Sequence, residues 1–259
     1  MQYEEGKVRY IDIGKGDPIV FLHGLGGHIE DNDPCFEYFA KNYRVIAMDA
    51  LGTGWSDFPV RKYDIDYLVD FTFDFADRMG LGKFYLVGGS QGGMQTLLCC
   101  KKCPERIIKA SVYSPSGVWK RRPGYAWFFN HLPARAAKLF LHITSFFWNS
   151  PRNPKYWSNR KQALEFIDSR PMPGFGMHVL GCVASQFAKD YRAIYATVET
   201  DVLIMWGQDD YGMPVKMGRE LVNILPHSKL IEVPKTGHNV SIEKPEFFAD
   251  QVTAFFKGQ

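Results

Sequence analysis

The sequence lacks the long apolar runs and the leader segment that would direct a chain into or across a membrane. No apolar stretch approaches the roughly 20 residues that a transmembrane helix needs, and no basic head followed by an apolar segment opens the chain. Cysteine is scarce too, with five residues, an odd number that does not suit a disulfide framework. These absences predict no signal peptide, reduced thiols, a cytoplasmic location and no stable membrane insertion.

Motifs for nucleotide, zinc and nucleic-acid chemistry are absent as well. Gly24-x-Gly26 and Gly52-x-Gly54 each begin like a dinucleotide fingerprint, but neither has the third glycine or the acidic partner. No phosphate-binding loop and no His-Glu-x-x-His zinc motif occurs. The formal net charge of +3 indicates no nucleic-acid partner. The sequence therefore supports neither nucleotide nor zinc chemistry.

The chain does contain a regular alternation of short apolar runs with helical patterns. Continuous apolar runs between turn residues predict strands buried on both faces. Their alternation with helices predicts an α/β fold with a doubly wound, mostly parallel sheet. The predicted strands are residues 8–13, 19–22, 44–48, 84–87, 107–113, 202–206 and 229–233, and the predicted helices are 34–42, 66–79, 94–102, 215–225 and 245–256.

This alternation is interrupted once, between residues 118 and 198. That segment is helical in pattern and rich in aromatic residues, and it contains no strand-like run. We therefore predict two domains, a core formed by residues 1–117 and 199–259 and an inserted helical cap, or lid, formed by residues 118–198.

The stretch from Val87 to Gly93 carries the strongest chemical signal. It places Ser90 between an apolar run and a helical pattern, with the spacing Gly-x-Ser-x-Gly. A serine at so sharp a turn has a strained backbone, and Gly88 and Gly92 stand where a Cβ would collide with neighbouring backbone. The pattern predicts a nucleophile elbow, with the backbone N–H of Gln91 directed at any oxyanion that forms there.

A serine nucleophile needs a base and an acid that orients the base. His238 is the candidate base, because it lies in a Gly-His turn after the last predicted strand. The acid is expected after the preceding strand, where Asp209 and Asp210 are adjacent. We favour Asp210, four residues before Pro214 and the next helix, and interpret Asp209 as a solvated residue. The predicted catalytic residues are thus Ser90, Asp210 and His238.

A second oxyanion donor is expected in the loop after the first buried strand, residues 23–27. The backbone N–H of Leu25 is the first choice and that of Gly26 the second. His23, in the same loop, is interpreted as a packed structural histidine.

These motifs together resemble the α/β-hydrolase superfamily, in the order of that family and over everything except the predicted cap. The resemblance implies an acyl-enzyme on Ser90, proton transfer by His238, orientation of the imidazole by Asp210, and no metal or organic cofactor. The matching patterns are His23-Gly24, Asp49-x-x-Gly52-x-Gly54-x-Ser56, Gly88-x-Ser90-x-Gly92-Gly93, Pro104-Glu105-Arg106, Gly207-x-x-Asp210-x-x-x-Pro214 and Gly237-His238-x-x-x-x-Glu243-x-Pro245-Glu246.

The predicted function is a cofactor-independent serine hydrolase that cleaves a small carboxylic ester or lactone. Serine at position 90 argues against the similar dehalogenase and epoxide hydrolase branches, which use a carboxylate. The subgroup that hydrolyses carbon–carbon bonds of diketo acid ring-fission products typically has Asn before the serine and Trp after the histidine. This chain has Gly89 and Asn239 there. Carbon–carbon hydrolysis therefore stays an alternative, as do acyl transfer and a ligand receptor on the same fold.

Charge is distributed unevenly along the chain. Residues 118–198 contain twelve Lys and Arg and three Asp and Glu, a net charge of +9, which leaves −6 for the rest of a chain whose total is +3. One interpretation is a cationic pocket roof for an anionic small-molecule substrate. The favoured interpretation is a solvated basic surface over a helical core. A membrane-surface role for the basic, aromatic residues 125–148 ranks third, because Pro133 interrupts the helix. No oligomeric state is predicted.

Overall fold

Short apolar runs form the strands of the central sheet. The computed structural model describes residues 1–148 and 150–259, without the side chain of Tyr156. A hairpin of two-residue strands, β1 (Gln2–Tyr3) and β2 (Gly6–Lys7), precedes the sheet and was not predicted. The sheet strands are β3 (Tyr10–Gly14), β4 (Pro18–Leu22), β5 (Arg44–Met48), β6 (Phe84–Gly89), β7 (Ile107–Tyr113), β8 (Val202–Gly207) and β9 (Ser228–Val233).

The seven strands are ordered β3-β5-β4-β6-β7-β8-β9. Only β3 is paired antiparallel, to β5, and the other neighbours are parallel. The predicted fold class, a doubly wound and mostly parallel sheet, is confirmed. Parallel strands end at the same edge, so the loops after β4, β6, β8 and β9 meet there.

Side chains alternate between the two faces of the sheet and fill two cores. In β4, Ile19 and Phe21 pack in one apolar cluster, and Val20 and Leu22 pack in the other. Helices α1 (Asp33–Phe39), α10 (Val240–Glu243) and α11 (Pro245–Phe256) cover the first face, and α2 (Ile65–Arg78), α3 (Gln91–Lys102) and α9 (Lys216–Val222) cover the second. Because both faces are covered, the strands are continuous apolar runs.

The segment proposed as a cap lies between β7 and β8. It contains α4 (Pro123–His131), α5 (Ala136–Thr144), a 3₁₀ turn (Ser145–Phe147), α6 (Tyr156–Ser169), α7 (Gly174–Ala188) and α8 (Tyr191–Tyr195), and no strand in its described residues. A third apolar cluster joins Leu141 of α5, Ile167 of α6 and Phe175 of α7. Residues of α8 pack instead in the core cluster that contains α3.

Candidate active site

Ser90 occupies a sharp turn between β6 and α3. Its φ of 53° and ψ of −118° lie outside the ordinary regions for an L-residue, so the turn is strained. Three backbone hydrogen bonds hold it: Ser90 N donates to Tyr113 O at 3.0 Å, and Ser90 O accepts from Met94 N at 3.1 Å and from Ser116 N at 3.0 Å. Ser90 is half-buried, whereas the residues on both sides of it are buried. The turn therefore presents the hydroxyl at the carboxyl edge of the sheet.

Glycines make this turn possible, because neighbouring backbone approaches Gly88 and Gly92 too closely for a side chain. A Cβ at Gly88 would lie 2.3 Å from Gly92 O, and a Cβ at Gly92 would lie 2.2 Å from Leu22 O. Both contacts are with backbone, which cannot swing away as a side chain can. The expected crowding around the serine is thus present.

The loop after β4 lies beside Ser90. An ideal Cβ at Gly24 would be 3.5 Å from Ser90 Cβ. In the described residues, neither Leu25 N–H nor Gln91 N–H donates a hydrogen bond to another group of the chain. The structure thus leaves both amides predicted to bind an oxyanion available for a ligand oxygen.

His23 has the packed surroundings expected of a structural residue. It is 8% exposed, and its Nδ1 lies 2.8 Å from Gly24 O while its Nε2 lies 3.0 Å from Thr53 Oγ1. Both ring nitrogens are therefore occupied within the chain, which suits a role in fixing the loop.

Asp210 and His238 meet between the loops after β8 and β9. Asp210 Oδ2 lies 2.7 Å from His238 Nδ1, and Asp210 Oδ1 accepts a hydrogen bond of 2.8 Å from Met213 N. The Asp210 side chain is fully buried and that of His238 is 11% exposed. The carboxylate thus fixes the ring and leaves Nε2 as the nitrogen free to act.

His238 forms no hydrogen bond with Ser90 Oγ in the described part of the chain. Such hydrogen bonds are often long in unliganded sites and tighten when substrate binds. The pair therefore remains a predicted nucleophile and base.

Asp209 differs from its prediction. We interpreted it as solvated, and this is wrong, because the residue is 5% exposed. Its Oδ2 accepts a hydrogen bond of 2.8 Å from Ser150 Oγ, and its Oδ1 lies 2.5 Å from the guanidinium of Arg152. The two adjacent aspartates thus point to different partners, one toward His238 and one toward the inserted segment.

Glu243 is a site residue whose role the sequence did not reveal. Its Oε1 accepts hydrogen bonds from Gly237 N at 2.9 Å and Ser150 N at 3.2 Å, and its Oε2 accepts one from Asn153 Nδ2 at 3.3 Å. The Gly237-His238-x-x-x-x-Glu243 motif marked the position but not these partners. Glu243 therefore connects the histidine loop to the inserted segment.

The environment of His238 shifts its pKa upward. Burial lowers the pKa of the imidazole, but the charge and hydrogen bond of Asp210, with the charge of Glu243, outweigh burial and raise it above its usual value. Burial also raises the pKa of Glu243, against hydrogen bonds from Ser150, Gly237 and Asn153. The site thus holds the pKa of His238 above that of an unperturbed histidine.

The described residues contain no group of three His, Cys, Asp or Glu placed to hold a metal ion. The chemistry available in the geometry is instead a hydroxyl, two free amides and a carboxylate-bound imidazole. That set suits attack on a carbonyl and stabilisation of the oxyanion that results.

The sheet, the strained serine and the Asp–His pair define a class of protein, and comparison with known families agrees. A family model described as alpha/beta hydrolase fold matches residues 17–245. The chain therefore belongs to the α/β-hydrolase family.

Individual relatives are distant and differ in activity. A 2-hydroxy-6-oxononadienedioate/2-hydroxy-6-oxononatrienedioate hydrolase of Burkholderia vietnamiensis is 28% identical, over 98% of this chain and 92% of its own length. A bifunctional esterase/perhydrolase of Acinetobacter calcoaceticus is 26% identical, over 96% and 95%. A solved structure of a thermophilic esterase from Thermogutta terrifontis has a TM-score of 0.84 at 18% identity, covering 98% of this chain and 94% of that chain. This last similarity concerns the fold alone.

Proposed function

We propose that this α/β hydrolase is a serine hydrolase acting on a small carboxylic ester or lactone through an acyl-enzyme on Ser90. The observation that carries the proposal is the strained Ser90 turn at the same sheet edge as the hydrogen-bonded pair of Asp210 and His238. Strain at a single non-glycine residue persists only where the surrounding structure enforces it.

The proposed reaction has two half-reactions, acylation and deacylation, and both use the same groups. Ser90 Oγ attacks the carbonyl carbon while His238 Nε2 takes the hydroxyl proton, and the N–H groups of Leu25 and Gln91 bind the oxyanion. When the carbonyl reforms, the C–O bond to the leaving group breaks and His238 returns the proton to that oxygen. Water then attacks the acyl-enzyme with the same base, releasing the acid and the free serine.

Carbon–carbon hydrolysis is the second candidate, because one of the relatives above is named for a diketo acid substrate. The residue before the serine argues against it. A Cβ at Gly89 would lie 2.0 Å from Cζ of the Tyr113 ring, whose hydroxyl donates a hydrogen bond of 2.8 Å to Asn32 Oδ1. The asparagine typical of the carbon–carbon subgroup therefore has no room here, and we rank ester and lactone cleavage first.

Covalent labelling tests the nucleophile. A fluorophosphonate probe is expected to label the wild type and not Ser90→Ala, and the variant should lose at least about a thousandfold in kcat, because no acyl-enzyme can form. Labelling at another serine, or full activity in the variant, would overturn the proposal.

A substrate panel separates the candidate reactions. Aryl esters of increasing acyl length and simple lactones are compared with a ring-fission diketo acid, all under multiple turnover. Steady turnover of esters with none of the diketo acid supports ester hydrolysis. Faster turnover of the diketo acid would assign the second candidate, and one stoichiometric event with a shift in Tm would indicate a receptor.

A further inference from the structure

Helix α5 and the turn that follows it carry apolar side chains on two opposite faces. Ala137 and Leu141 are buried on the inner side. Leu139, Ile143 and Phe146 lie on the outer side, because residues three and four positions apart share a helix face. Phe147 follows Phe146 and is exposed as well. Leu139 is 65% exposed and Ile143 57% exposed.

Helix α4 extends this exposed surface. Trp127 is 64% exposed and Phe128 51% exposed. The two helices meet through the rings of Phe129 and Phe140, whose centroids lie 5.4 Å apart. We call this surface the outward face; its members are Tyr125, Trp127, Phe128, Leu139, Ile143, Phe146 and Phe147.

An outward face of this composition is unusual for a helix in water. A helix that is apolar all round is normally buried, and an extended exposed apolar patch normally marks a surface of interaction. Each member is a large apolar residue that a solvated helix would replace with a charged one. We therefore expect another molecule to cover the outward face.

The charges around the outward face indicate which occupant. No acidic residue occurs between Glu105 and Glu165, whereas residues 118–164 contain nine Lys and Arg. Two of these cations contact aromatic members of the face: the guanidinium of Arg122 lies 5.6 Å from the Tyr125 ring centroid and that of Arg160 lies 3.8 Å from the Phe146 centroid. In the described residues, Lys120, Arg121, Arg122, Arg135 and Lys155 have no carboxylate partner.

A second copy of the chain fits these charges poorly. A two-fold dimer would press the same surface against itself and bring Arg122 and Arg160, which contact members of the face, close to their own copies. An anionic bilayer surface fits both features, because aromatic side chains sit well at headgroup depth and Lys and Arg attract lipid phosphates. We propose that the outward face seats the protein on the surface of an anionic lipid bilayer.

In this proposal the outward face contacts the surface of the bilayer and no helix spans it. The described helices include none long and apolar enough to cross a membrane. The interruption around Pro133 separates α4 from α5, and each helix contributes its own exposed apolar residues. Two short helices lying flat are compatible with an interfacial position, which depends on apolar area and charge together.

Vesicle binding tests the proposal with the whole chain, and it is measured as sedimented protein and not as ester cleavage, so the result does not depend on the proposed hydrolase activity. The protein is sedimented with vesicles of phosphatidylcholine mixed with phosphatidylglycerol, and with vesicles of phosphatidylcholine alone. We expect strong binding to the first and weak binding to the second. Binding should weaken as salt rises, because the Debye length falls from about 30 Å at 0.01 M to about 8 Å at physiological ionic strength.

Paired variants locate the contact. Leu139→Ser with Ile143→Ser should lower the vesicle partition coefficient at least about tenfold, because two apolar side chains no longer enter the interface. The matched control is Ile13→Ser with Val60→Ser, which changes two exposed apolar residues elsewhere, 41% and 67% exposed, and should leave binding unchanged. The Tm of each variant confirms that it is folded.

Charge reversal is tested in the same way. Arg122→Glu with Arg135→Glu should weaken binding to anionic vesicles most strongly at low salt. Lys83→Glu with Lys229→Glu is the control, because both lysines are exposed near the starts of β6 and β9, away from the edge that carries the proposed site.

Tryptophan fluorescence measures how deeply the outward face enters the bilayer. Lipids brominated in the acyl chain should quench the wild type, and Trp127→Phe should remove part of that quenching while still binding. The proposal is overturned if the wild type stays in solution with anionic vesicles at low salt, or if the control pairs lose as much binding as the test pairs. A wild-type dimer that Leu139→Ser with Ile143→Ser dissociates would assign the outward face to a second copy instead.

Discussion

The imidazole of His238 leads to a prediction about how activity depends on pH. As the proposed base it must be neutral to accept a proton, and its surroundings raise its pKa. Activity is therefore expected to rise with pH through a value above about 6.5, the ordinary pKa of histidine. The acid limb of kcat/KM against pH measures it.

Glu243→Gln supplies the control for this profile. It removes a negative charge that raises the pKa of His238 and preserves much of the shape of the side chain. The acid limb should move to lower pH in the variant. A flat wild-type profile, or a limb below pH 6.5, approximately the unperturbed value, would count against His238 as the base.

The adjacent residues Asp209 and Asp210 lead to a second prediction. Asp210→Asn should reduce kcat about a thousandfold or more, because the amide no longer stabilises the imidazolium that forms. Asp209→Asn should change kcat less than about tenfold and lower Tm instead, because its partners are Ser150 and Arg152. Steady-state kinetics and thermal unfolding of both variants check this, and a severe kinetic defect in Asp209→Asn alone would reverse the assignment.

The contrast between these two residues shows what a sequence can reveal about a site. Asp210 was identifiable because its place after a buried strand and before a helix is local information. The partners of Asp209 lie 59 and 57 residues earlier, in a segment whose packing no local pattern specifies. Glu243 is similar, since its contacts with Ser150 and Asn153 span 93 and 90 residues.

The short segment 150–153 belongs to the insertion. It contacts Asp209, beside the proposed acid, and Glu243, which binds the loop of the proposed base. Ser150→Ala removes the hydroxyl that donates to Asp209, a carboxylate that is almost fully buried. We expect a loss of about 1–2 kcal/mol in the free energy of unfolding, because a buried acceptor loses a donor. Chemical denaturation measures it.

Ser158→Ala is the matched control, since among the described residues that hydroxyl bonds to Lys155 O alone and the residue is exposed. It should leave stability nearly unchanged. Equal denaturation midpoints for Ser150→Ala and the wild type would mean that the Asp209 contact contributes nothing.

Elements were predictable where an apolar run had clear turn residues at both ends. The strands 44–48 and 107–113 and the helix 245–256 have their predicted bounds in the structure. The helices of the insertion were predicted only as a helical segment, because aromatic residues occur on their exposed and buried sides alike and give no periodicity. Two-residue strands such as β1 and β2 are too short for any pattern.

For the whole molecule, the uneven charge leads to a prediction about substrates. Among the twelve cations of residues 118–198, only Arg170 is buried, and its guanidinium is already bonded to Gly54 O and lies 3.9 Å from the Trp55 ring centroid. The others are exposed or half-buried, so that solvent and salt screen their attraction for an anionic substrate. We therefore expect at most about a tenfold preference in kcat/KM for an ester bearing a carboxylate over a matched neutral ester, lost at physiological ionic strength.

Arg121→Ala with Arg122→Ala, compared at low and moderate salt with both esters, measures that preference. Both arginines are exposed at the start of the insertion. The double variant should lose the low-salt preference and keep the turnover of the neutral ester. A strong preference that persists in high salt would mean that a cation lines the pocket after all.

The order of the strands along the chain has a consequence for biosynthesis. The proposed nucleophile is made early, on β6, whereas the proposed acid and base follow β8 and β9, after the whole insertion has been added. Before β7 and the strands after it have been made, Ser90 lacks the hydrogen bond to Tyr113 O that helps to hold its strained turn, and the proposed acid and base are absent. We therefore expect activity to appear only after β9 and the loop that carries His238 have been added and have folded against the earlier strands.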